Sequence, residues 1–386
     1  MQNILKRFLI VLLVLIIAVE LFLLFTGNLY VNKVLAMTIF SGKSGPDIDE
    51  LQLFPYHEID NDNPQPWPQS VRYNQQVIGE NLLSDFIKYK TVGFVVIQHD
   101  SLLYEQYWEG YNEESVTNSF SMAKSINAIL IGIALKEGLI KSLNEPISNY
   151  ISEFGEGEKA QITIKHLLTM SSGLNFKEGY GSPFDWPAEA YYGPDVNELT
   201  LKAAINEIPG KVWHYKGGDS QLLGLILKKA TGKTPADYAS EKLWKKIGAE
   251  DKAFWSTDEK DMEKVSCCFY STARDYARIA KLYIQQGNWN GQQILDSSYV
   301  QQSLAVADLT DFDNGQKIDK YGYQWWLMKY KGHSIFYMRG IRGQYVFAVP
   351  DLKLIVVRLG HKRGEKNADD MPVDIYTYLD AAFEMQ

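Results

Sequence analysis

The sequence predicts an α+β fold: one antiparallel sheet assembled from both ends of a large domain, with a helical insertion between them. Three observations point there. The stretch TVGFVVIQHDSLLYEQYW holds two strand-like runs around a turn at His99-Asp100-Ser101. Near the C-terminus YGYQWWLMKY, SIFYMRG, GQYVFAVP and LKLIVVRLG are short, aromatic and β-branched, as the strands of a meander are. The middle of the chain is instead dominated by helical patterns, so the strands at its two ends are expected to share one sheet.

The elements follow in order. Phe8 to Phe25 is an apolar run preceded by Lys6 and Arg7, with Glu20 as its one charge. It is about as long as a bilayer-spanning helix needs to be. Residues 1–28 are therefore expected to form a membrane anchor, N-terminus inside, with the rest of the chain on the periplasmic or extracellular face. A cleaved signal segment is the alternative, although no clear A-x-A site follows the run. Residues 29–75 carry turn formers, including DNDNPQPWPQS, and read as an extended linker. Residues 76–386 are expected to form the globular domain. After the hairpin, SFSMAKSINAILIGIALKEGL predicts a helix ending near Gly138. ITIKHLLTMSSG, the amphipathic SQLLGLILKKATG, and STARDYARIAKLYIQQG, stopped by Gly287, continue the helical insertion. VDIYTYLDAAFEM suits a closing helix.

Composition narrows the function. The 386 residues are 46% hydrophobic and 22% charged, enough for a full core, and the net charge of -8 gives nucleic acid no electrostatic footing. Six histidines form no metal-ligand spacing, so neither a metal nor another cofactor is expected. The two cysteines, Cys267 and Cys268, are adjacent. Neighbouring Cα atoms lie about 3.8 Å apart, shorter than an ordinary disulfide span, so both are expected as small buried hydrophobes.

Ser121 and Lys124 stand three residues apart at the head of the first long helix, one turn apart on one face. A serine hydroxyl becomes a nucleophile when a base takes its proton, and an unprotonated lysine one turn away can do so. A lysine in water has a pKa near 10.4, so such a role demands burial or a neighbouring positive potential. An isolated pair of this kind reads equally as a helix N-cap and a solvated lysine. His166, in KHLL, lies on an apolar helix face and reads as a core histidine.

With SMAKS at Ser121, the phrases SLNEPISNY, ITIKHLLTMSSGL, WHYKGGDSQLLG, FYSTARDYARIAKLY, YGYQWW and RGIRGQYVFAVPDLKLIVV resemble the serine β-lactamase and penicillin-binding protein superfamily, in its class C-like branch. Several look more similar to nylon-oligomer (6-aminohexanoate-dimer) hydrolases and related carboxylesterases than to true β-lactamases. The resemblance implies a β-lactamase-like sheet with flanking helices and a helical subdomain, and an acyl-enzyme on Ser121. Lys124 would be its base and Tyr215 its general acid. Gly217 stands where the class C-like pattern Tyr-x-Asn has its asparagine. Gly340 keeps the glycine of the superfamily's third motif, and Met338 replaces its lysine or histidine. The N–H groups of Ser121 and Ile341 would form the oxyanion hole, with Tyr180, Gly217, Gly340 and Arg342 (or Arg339) against the substrate. A small amide or ester is the implied substrate. A peptidoglycan DD-peptidase, a weak β-lactamase and a non-catalytic ligand sensor of the same fold remain as alternatives.

Overall fold

The protein is described by a computed structural model covering residues 1–367 and 370–386. Its central sheet has six strands: β1 (Thr91–Gln98), β2 (Ser101–Tyr107), β3 (Trp326–Tyr330), β4 (His333–Gly340), β5 (Gln344–Val349) and β6 (Leu354–Gly360). Their order is β3-β4-β5-β6-β1-β2, every pair antiparallel. The two ends of the chain meet where β6 pairs with β1, Val356 lying opposite Val96. The β1–β2 connection turns on His99 and Asp100, both with positive φ, as a two-residue hairpin loop requires.

Side chains alternate across this sheet. Val95, Ile97, Met338, Val346 and Val357 enter one core, while Phe94, Val96, Tyr337, Phe347 and Val356 enter the other. Eight helices are used below: α1 (Gln2–Phe25), α2 (Tyr30–Met37), α3 (Glu80–Lys88), α4 (Met122–Lys136), α5 (Trp186–Tyr192), α6 (Gly217–Thr231), α7 (Ala273–Ile284) and α8 (Asp374–Glu384). α4 and α7 cover the first face of the sheet, and α3 and α8 cover the second through Phe86, Ile375 and Tyr378. The result is three layers. α4 is apolar almost all round, and residues Met122 to Ala134 are all buried, because α6 packs on it from the side away from the sheet. α6 stops at Gly232, which takes the left-handed conformation common after a helix end.

Two expectations are corrected. Residues 29–75 are no extended linker: α2 packs on α5, and Tyr56–Ile59 pairs antiparallel with Ala253–Ser256. Ile48, Phe54, Ile59 and Trp67 are buried, and the Trp67 indole N–H donates to the Arg274 carbonyl at 3.0 Å. Single apolar anchors separated by turn formers have no period, which is why the segment reads as unstructured in sequence. Cys267 and Cys268 are joined as a vicinal disulfide rather than free, Cys268 having a positive φ.

α1 leaves this body with its side chains exposed, Leu23 excepted. Among the described residues it is the one helix long and apolar enough to cross a membrane.

Candidate active site

Ser121 precedes the first turn of α4. Phe120, immediately before it, is held at a φ of 45°, a region a bulky side chain seldom visits, and its N–H donates to Asn118 Oδ1 at 2.8 Å. Ser121 occupies the N-cap position but its hydroxyl caps nothing. Instead Lys124 Nζ lies 3.2 Å from Ser121 Oγ. The same amine donates to the Ser266 carbonyl at 2.6 Å, in a side chain only 3% exposed. That second bond fixes Nζ beside the hydroxyl, which a solvated helix lysine would not be.

Tyr215 arrives from the segment leading into α6. Its ring centroid lies 5.3 Å from Lys124 Nζ and packs against Trp326 at 5.4 Å. Lys216, next in sequence, turns inward and is buried with Nζ 3.6 Å from Glu207 Oε2. β4 closes the opposite side. A Cβ at Gly340 would stand 2.3 Å from the Ser119 carbonyl, so only glycine lets this strand run so near the backbone ahead of Ser121. Ile341 follows it, in the lining of the cavities that hold Ser121.

Two cavities meet at Ser121. A polar cleft of about 720 Å³ is lined by Tyr215, His214, Arg339, Gly340 and Asp370 among others. An apolar one of about 280 Å³ reaches α2 and α5. Ser121, Glu178, Tyr180 and Ile341 line both.

The beta-lactamase family model matches residues 80–378. The chain belongs to the beta-lactamase family. It is 22% identical to the 6-aminohexanoate-dimer hydrolase of Paenarthrobacter ureafaciens, over 70% of this chain and 72% of that one. Esterase EstB of Burkholderia gladioli is 25% identical over 42% of this chain and 47% of its own. Among solved structures, "Putative 6-aminohexanoate-dimer hydrolase from Bacillus anthracis" superposes with a TM-score of 0.72 at 25% identity, covering 88% of this chain and 92% of that one.

The surroundings of Gly217 explain why that position holds a glycine. A Cβ at Gly217 would stand 2.3 Å from the Trp186 ring, so no asparagine fits there while Trp186 does. The N–H of Gly217 donates to Glu178 Oε2 at 2.7 Å, and Tyr180 donates from its hydroxyl to Glu178 Oε1 at 3.1 Å. Desolvation pushes the Glu178 carboxyl above its ordinary pKa, against the opposing pull of Lys124 and the Gly217 N–H. Sequence reasoning passed over Glu178 and Trp186. An acidic residue in the same loop as Tyr180 was the available signal.

Met338 is fully buried in the core and lines neither cavity. Arg339 faces the cleft, its guanidinium 3.6 Å from the Trp326 ring centroid and donating to the Asp370 carbonyl at 2.9 Å. Arg342, expected against the substrate, lines the polar cleft and is also bonded into the fold. It donates to the carbonyls of Pro46, Gly45 and His361, tying the segment before Ile48 to the end of β6. His166 accepts from the Thr163 N–H at 3.3 Å as half of a capping box, a structural role.

Proposed function

We propose that this protein is an exported serine hydrolase that cleaves a small amide or ester through an acyl-enzyme on Ser121, without metal or cofactor. The observation that carries the reading is the Lys124 amine 3.2 Å from an uncapped Ser121 hydroxyl where two cavities meet. An unprotonated Lys124 donates one N–H to the Ser266 carbonyl and turns its lone pair to Oγ–H. As Oγ attacks the substrate carbonyl carbon, its proton passes to Nζ and the carbonyl electron pair moves onto oxygen. The N–H groups of Ser121 and Ile341 are the proposed donors to that oxyanion. Collapse breaks the bond to the leaving group, which takes a proton from the Tyr215 hydroxyl, itself reprotonated from Lys124. Water then repeats the sequence on the acyl-enzyme, releasing the acid and restoring Ser121. The relatives named as an aminohexanoate-dimer hydrolase and an esterase support an amide or ester substrate.

The test is intact-mass spectrometry after exposure to a fluorophosphonate, a penicillin and a nitrophenyl acetate. One phosphonyl adduct is expected on the wild type and none on Ser121→Ala, with ester turnover abolished and unfolding stability within about 1 kcal/mol. A Ser121→Ala variant keeping a tenth of the activity refutes the assignment, and a protein inert to all three probes is a sensor.

Esters are expected to outrun β-lactams. The groups that would grip the lactam's side chain and carboxylate are replaced by Gly217 and a core-facing Met338. Each lost contact worth about 2 kcal/mol in the transition state lowers kcat/KM roughly thirtyfold. A chromogenic cephalosporin turned over as fast as the nitrophenyl ester would instead make the protein a β-lactamase.

A further inference from the structure

The apolar cavity beside Ser121 differs from the polar cleft in both lining and position. Its walls include Val34, Leu35 and Ile39 from α2 and the following turn, and Trp186, Ala188 and Ala190 from α5. Tyr215 lines the polar cleft and not this cavity. If Tyr215 protonates the leaving group, that group departs through the cleft, and the acyl group must lie on the other side of Ser121. That side is hydrocarbon-lined. Gly217 also lines it, and the volume a side chain there would need is taken by the Trp186 indole, so the wall at this point is apolar ring rather than polar amide.

We infer that the acyl part of the substrate is a hydrocarbon chain, seated between α2 and α5, so that the enzyme cleaves amides or esters of medium- or long-chain acids. The inference rests on the hydrolase reading above and narrows its substrate class. The placement of α2 adds to it. Only residues 26–29 separate α2 from the apolar helix α1, so α2 begins within about 18 Å of contour length from the end of α1, and the cavity wall starts one helical turn later at Val34. α2 is pinned to the body by the Tyr30 hydroxyl, which donates to the Pro183 carbonyl at 3.0 Å. At the outer end of the wall Ile39 is 66% exposed, and beyond it Phe40 and Phe184 stand exposed at 81% and 48%. Apolar surface thus continues from the cavity to the outside on the side that follows α1. An amphiphile seated along this path has its tail in the apolar cavity and its polar head in the cleft beside Arg339 and His214.

The experiment uses the full-length protein in lipid nanodiscs and nitrophenyl esters from acetate to decanoate. The specificity constant is expected to rise at least tenfold from acetate to octanoate. Partition of longer esters into lipid could produce a rise by itself, so the profile is compared with Leu35→Trp and Ala188→Trp, which fill the cavity from two different elements. Partition is the same for all three proteins. In the variants the octanoate-to-acetate ratio is expected to fall tenfold or more, and a fluorophosphonate adduct on Ser121 reports that each is folded. The chain's source is read by giving the same octanoyl ester either as dissolved monomer or embedded in the enzyme's own nanodisc. Preference for either form is compatible with the cavity and assigns the source to solution or bilayer. A profile that is flat, or that rises equally in wild type and both variants, overturns the acyl-chain assignment while leaving Ser121 a nucleophile. Failure to label Ser121 or to hydrolyse acetate overturns the hydrolase reading itself.

Discussion

Gly217 and Trp186 share one volume beside Ser121. The indole occupies the volume a side chain at 217 would need, and the Gly217 N–H is taken up by Glu178. Gly217→Asn is therefore expected to cost about 1–3 kcal/mol through overpacking, seen as a lower urea midpoint at unchanged m-value. Shortening the opposing residue in Trp186→Ala should return most of that loss, giving a coupling energy well outside error in a double-mutant cycle. Additive effects would show that the two residues do not share the space. The Ser121–Lys124 pair was legible in sequence because a three-residue spacing on a helix fixes which side chains meet. The Glu178–Gly217 contact was not, since it joins a loop to a helix start 39 residues away and no local period announces it.

The same distinction separates the strands and helices that were foreseen from those that were not. The β1–β2 hairpin, the C-terminal meander and α7 carry strong local patterns, and each formed close to where the patterns placed it. The strand at Tyr56–Ile59 has only four residues and is defined by its partner, Ala253–Ser256, some 200 positions later. It is held there by His57, whose Nδ1 lies 2.9 Å from Glu263 Oε1 and whose Nε2 lies 2.8 Å from Asp261 Oδ1. The hydrogen bond to Glu263 is the largest influence on His57 and outweighs burial, raising its pKa from 6.5 to about 9. A pKa raised on folding means the native state holds the proton more tightly than the unfolded chain. The stabilisation is then complete below about pH 6.5 and lost as pH rises through about 9. With a side chain 26% exposed, the contribution is on the order of 2 kcal/mol after screening. Thermal melts of wild type and His57→Gln should differ most near pH 6 and converge by pH 10. Curves that stay parallel across that range would mean the histidine is neutral throughout.

Taken together, the chain places a hydrolase body directly behind an apolar helix, and the connection between them is structured. α1 exposes nearly its whole length, whereas α2, four residues on, already has Tyr30 and Val31 buried in the body. Leu23 is the one α1 side chain in the first core; the sheet, the rest of both cores and every catalytic candidate lie beyond residue 29. α1 is long and apolar enough to cross a membrane, as an anchor or a signal segment would be, and it is expected to be the anchor. Full-length protein should therefore stay with the membrane fraction through an alkaline carbonate wash. A variant lacking residues 1–28 should be released and still hydrolyse nitrophenyl acetate within about twofold of the wild-type kcat/KM, because α2 is tied to α5 by its own contacts. N-terminal sequencing decides between anchor and signal segment. A mature protein that begins beyond residue 25 and is found free in the exported fluid would show that α1 directs export and is then removed, leaving α2 as the first helix of the enzyme.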